Sequence, residues 1–136
     1  MRFLLLLLVL SLLPFGMSEE AGATDVELKP MREWKGEAGP GVEKGPIRSV
    51  ILSSEEYEKL WKELGLVRSP GAIEFSKEFA VVVTSRGSGI SFRLRDEGEG
   101  RLRVMSIGTR DIRPGLRYAI AVISRQGWQE VNDTKL

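Results

Sequence analysis

The sequence predicts an α+β domain: one helix at about Ser53-Leu64 packed on a mainly antiparallel sheet of five to six strands. Three observations lead there. Tyr57, Leu60, Trp61 and Leu64 fall at i, i+3, i+4 and i+7, one apolar stripe of helical period. Phe79 to Thr84 is a short run apolar on both sides, as in a strand buried on both faces. Ile90, Phe92 and Leu94 alternate with Ser91, Arg93 and Arg95, the pattern of a half-buried strand.

The chain opens on Arg2 and a leucine-rich run, Phe3 to Leu13, broken only by Ser11. A basic start and an apolar stretch of this length read as a secretory signal peptide, residues 1–23. It is short for a membrane span, which needs about 20 apolar residues. Cleavage after Ala23 follows from Ala21-Gly22-Ala23, and cleavage after Ser18 competes with it. No cysteine follows the run, so a lipid anchor is not expected. The expectation is an extracytoplasmic protein, periplasmic or secreted, with one domain over 24–136 and no membrane anchor after cleavage.

Met31 to Lys35 is the first expected strand, and Gly36–Pro46 reads as a Gly/Pro-rich loop. No phosphate-binding signature follows its glycines. Ile47 to Leu52 is the next strand and leads into the helix. Ser53 and Glu56 form a capping box, and Leu52 and Tyr57 are spaced as a hydrophobic staple. Glu55–Lys59 and Glu58–Lys62 are favourable i,i+4 pairs. Gly65 can end the helix in the left-handed conformation, with Leu66 folding back on Trp61. Arg101 to Ile107 returns from the Asp96–Gly100 turn, and Met105 and Ile107 break its alternation, which predicts a bulge near Val104–Met105. Leu116 to Ser124 is apolar on both sides and therefore central, and Gly127 to Val131 is a short edge strand. Trp61 is core by its periodicity; Trp34 and Trp128 fit either edge packing or a contact role.

Composition excludes several chemistries. With no histidine and no cysteine, a Ser-His-Asp triad, a thiol nucleophile and an ordinary zinc or copper site are ruled out. Asp96, Glu97 and Glu99 cluster in an exposed turn, with nothing apolar nearby to raise a carboxyl pKa and too few oxygens for calcium. No enzyme activity, cofactor or metal is expected. The net charge of +1 conceals an asymmetry. Thr24 to Glu78 carries nine basic against eleven acidic residues, whereas Phe79 to Arg125 carries nine arginines against four acids. Arg93, Arg95, Arg101 and Arg103 share one face if the hairpin pairs simply. Such forks bind carboxylates or phosphates, so the face suits an acidic partner; the competing reading pairs them with Asp96, Glu97 and Glu99. No aromatic is interleaved there to stack bases, so nucleic acid is not an expected partner. Asn132-Asp133-Thr134 matches a glycosylation acceptor, a pattern that also arises by chance.

The order Val50-Ile51-Leu52-Ser53-Ser54-Glu55-Glu56-Tyr57-Glu58-Lys59-Leu60-Trp61, Pro70, Ile73-Glu74-Phe75-Ser76-Lys77 and Val81-Val82-Val83 resembles the PrcB C-terminal domain family. Glu74 stands where that family usually has aspartate, and Arg86-Gly87-Ser88-Gly89-Ile90 lacks its Gly-Gly-Tyr. The resemblance implies a non-catalytic accessory subunit that binds an extracytoplasmic protease and supplies no catalytic residues. A secreted peptidase inhibitor using Gly36–Pro46 is the alternative. A wall-polysaccharide enzyme using Asp96 or Glu99 is the more distant one.

Overall fold

The computed structural model describes residues 28–45 and 49–136. The signal-peptide reading and the expected strand start at Ile47 lie outside those residues.

The chain runs β1 (Arg32–Glu37), β2 (Val50–Ile51), α1 (Ser54–Glu63), β3 (Glu78–Ser85), β4 (Ile90–Gly98), β5 (Arg101–Gly108), β6 (Arg117–Ser124), β7 (Glu130–Val131) and β8 (Thr134–Lys135). One helix on sheet, mostly antiparallel, is what the sequence led to expect. A single sheet of five to six strands is not. The strands form two sheets of four, ordered β1-β6-β3-β2 and β4-β5-β7-β8. The physical reason lies in β3 and β6, which are buried on both faces. A two-sided apolar sheet needs two covers. Helix α1 and the connection behind it supply one, and the β4–β5 hairpin turns under to supply the other. Side chains of even number on β3 and β6, including Ala80, Val82 and Ile120, meet Tyr57, Leu60 and Leu64 of the helix side. Those of odd number, including Phe79, Val81, Ala121 and Ile123, meet Leu102, Val104 and Val131 of the second sheet.

The helix forms where its local signals place it. Ser53 Oγ accepts from the Glu56 N–H at 3.3 Å, while the Glu56 carboxylate reaches past the cap to the Leu52 N–H at 2.9 Å. Gly65, at φ 69°, closes a Schellman turn: Leu66 N–H donates to Trp61 O at 3.0 Å and Gly65 N–H to Lys62 O at 2.9 Å. The staple does not form as expected. Leu52 packs into the core between the sheets, and Tyr57 into the core under the helix. Trp61 is half-buried at the rim, with the Lys62 ammonium over its ring, so Leu60 and Leu64 are the anchors instead.

The ladder register along β5 is continuous from Leu102 to Gly108, and no bulge falls at Val104–Met105. Leu94 faces Val104 and Arg93 faces Met105 in continuous register; the irregularity lies at Asp96/Gly98. Met105 and Ile107 are simply exposed. Beyond the expected edge strand the C-terminus makes a second small hairpin. β7 runs parallel to β5, and β8 returns through Asn132 and Asp133, both at positive φ. Asn132 extends the ladder with its side chain, accepting from Val104 N–H at 2.9 Å and donating to Val104 O at 3.2 Å. That amide is occupied, which argues against its use as a glycosylation acceptor.

Candidate functional site

The outer face of the second sheet follows from its register. Phe92, Leu94, Leu102 and Val104 turn toward the first sheet. Arg93, Arg95, Arg101 and Arg103, one residue out of phase, therefore turn outward together, as the alternation predicts. Met105 and Ile107 join the same face at 42% and 48% exposure, Met105 opposite Arg93 and Ile107 opposite Ser91.

The four arginines are not equivalent. Arg103 Nε donates to Glu97 Oε1 at 3.0 Å, and its Nη2 lies 3.4 Å from Asp133 Oδ1. Both acids raise its pKa, Asp133 by charge first and Glu97 through its hydrogen bond. Among the described residues Arg101 Nε reaches only the Gly98 carbonyl, at 3.4 Å. Arg93 and Arg95 have no carboxylate partner among the described residues. The pairing of the hairpin arginines with nearby acids is therefore met at Arg103 alone of Arg93, Arg95 and Arg103, through Glu97 of the turn and Asp133. Asp96 spends one oxygen on the Gly98 N–H at 2.8 Å. Among the described residues no group of histidine, cysteine or acidic side chains converges to hold a metal.

The Gly/Pro-rich segment is folded down over its first half. Gly36 and Glu37 belong to β1, and Gly39 N–H donates to Leu64 O at 2.7 Å, capping the helix end. A Cβ on Gly39 would stand 2.4 Å from Gly65 O, so only glycine allows this approach. Pro46 lies outside the described residues.

One polar node went unseen in the sequence. Glu78 is buried, yet Arg32 Nη2 reaches its Oε1 at 2.8 Å from 46 positions away and also donates to Ala72 O. The Glu74 N–H donates to the same oxygen at 3.2 Å. The hydrogen bond from Arg32 holds the Glu78 carboxyl below its ordinary range, against the effect of burial. These groups line an open cleft of about 620 Å³ with Trp34 and Ile73. Glu78 fastens the edge strand β1 to the β3 connection, and Gly71 sits so close to the Trp34 indole that a Cβ there would stand 2.2 Å from the ring. Trp34 and Trp128 both pack against cores, Trp34 under the helix side and Trp128 between the sheets.

No family model, curated protein or solved structure matches the chain.

Proposed function

We propose that the chain is a non-catalytic, extracytoplasmic binding domain that docks an acidic segment of a protein partner on the outer face of its second sheet. The observation that carries this reading is the pair Arg93 and Arg95, without carboxylate partners among the described residues, beside exposed Met105 and Ile107. Cations next to exposed apolar side chains suit an interface in which aliphatic contact gives area and arginine gives orientation. Arg101 and Arg103 border the face, Arg103 already neutralised. The resemblance to the PrcB C-terminal domain family supports an accessory role toward an extracytoplasmic protease, and the histidine- and cysteine-free composition supports a role without catalysis.

The test is capture from the source organism's secreted and envelope proteins with the domain residues 24–136. An acidic partner, a protease foremost, is expected to be retained by the natural chain and lost from Arg93→Glu/Arg95→Glu. The double variant Arg86→Glu/Arg110→Glu, on the exposed loops at the other end of the hairpin, serves as the charge control. Equal capture by both variants would remove the reading.

A further inference from the structure

We infer that the partner binds as an added β-strand along β4, and that its side chains alternate between acidic and aliphatic. This rests on the docking face proposed above and specifies the geometry of its ligand.

Strand β4 is nine residues long and pairs with β5 on one side; its other side has no strand among the described residues. Such an edge presents the N–H and C=O groups of alternate residues to whatever lies beside it. The side chains of β4 sort into two rows. On one face, Arg93 and Arg95 stand in line with no carboxylate opposite. On the other, Phe92 and Leu94 pack against the core between the sheets yet remain only half-buried. A strand laid antiparallel or parallel along this edge would place its own residues alternately beside the two rows. Carboxylates would meet the arginines, and aliphatic side chains would complete the cover over Phe92 and Leu94. The pleat therefore converts two incomplete rows into one sequence requirement of period two.

The other long edge lacks this character. The exposed residues of β1, Glu33, Lys35 and Glu37, alternate in sign, and its inner row of Arg32 and Trp34 is already covered by the connection through Gly71 and Ala72. Mixed charge of this kind blunts an edge against pairing, whereas the single-sign row on β4 selects a partner of opposite sign. The register irregularity at Asp96/Gly98 sets the far limit of the edge, which leaves Ile90 to Arg95 as the pairing length.

The experiment uses residues 24–136 and a labelled peptide, acetyl-Glu-Val-Glu-Val-Glu-Val-amide, followed by fluorescence anisotropy at low salt. Saturable binding is expected, weakened about tenfold or more in Arg93→Glu/Arg95→Glu. Two further peptides decide the geometry without altering the protein. Acetyl-Glu-Glu-Glu-Val-Val-Val-amide keeps the charge and composition and loses the alternation. The alternating peptide N-methylated at every second residue, made in both phases, keeps the side chains and blocks the ladder in one phase. Loss of binding with the block peptide and with one methylated phase is the expected result. Equal binding by all of the acidic peptides would overturn strand addition while leaving an acidic docking face standing. Absence of binding by any peptide, with capture of an acidic partner intact, would likewise overturn it.

Discussion

The two sheets use the same alternation of side chains to opposite ends. In the first, β3 and β6 bury both rows, one under the helix and one against the second sheet. In the second, β4 and β5 bury one row and give the other to arginine, Met105 and Ile107. The two central strands of the first sheet are committed on both faces, so substitutions in them act on folding. The second is committed on one face, so its outer row can change with little effect on stability. The division of labour is testable by matched truncations. Phe79→Ala, in the fully covered core, is expected to destabilise by about 3–5 kcal/mol in chemical denaturation. Leu94→Ala, half-buried on the edge strand, is expected to lose about 1–2 kcal/mol, since only part of its side chain leaves water on folding. Equal losses would mean that the second sheet is as much scaffold as the first.

The helix was legible because its signals are local. Ser53, Glu56, Gly65 and Leu66 each act within five residues of their partners, and no tertiary context is needed to decode them. The second sheet was legible only in part. The two-sided run Leu116 to Ser124, which holds β6, implies a central strand in one sheet, although burial of both faces demands a layer on each. The described residues hold one helix, and the second layer comes from strands. Met105 and Ile107 misled in a different way. Their break in the alternation implies a bulge near Val104–Met105, whereas the ladder continues and leaves them in solvent, as single apolar residues often are. The four arginines were legible because period two is the whole of their geometry. What separates Arg103 from Arg93 and Arg95 was not, because Asp133 comes from a hairpin 30 positions away. Glu78 is the extreme case: in sequence it is one more acid in an acidic half, and only the path of β1 brings Arg32 to it.

Glu78 also gives the first sheet a pH dependence. Its carboxyl is held below the reference value of 4.5, first by the hydrogen bond from Arg32. A lowered pKa in the folded state means the ionised form is favoured by folding. That contribution is whole above the ordinary carboxyl range and is lost as pH falls through the lowered value. Glu78→Gln is expected to destabilise by about 1–2 kcal/mol at neutral pH, the scale of a charged hydrogen bond open to solvent on one side. The variant should then lose less than the natural chain on acidification from pH 6 to pH 3. Thermal melts across that range are the check, and parallel curves for the two proteins would show that other carboxylates carry the acid response.

The smallest effect is expected at Arg95, and it bears most directly on the outer face. Arg95 stands directly across the ladder from Arg103. Like charges in that position oppose pairing, so the hairpin tolerates Arg95 and gains nothing from it. Glu97 and Asp133 relieve Arg103 and leave Arg95 uncompensated. Arg95→Ala is therefore expected to melt at the same temperature as the natural chain or up to about 2 °C higher at low salt. Added salt screens the repulsion, so the difference should shrink between 20 and 500 mM sodium chloride. A variant that melts several degrees lower, with an unchanged salt response, would mean that Arg95 holds the hairpin together through its aliphatic stem. An arginine bound into the fold in that way could not turn to a partner. A residue that opposes its own strand pairing and meets no carboxylate among the described residues has a favourable interaction still to make, which is what the proposed docking face requires of it.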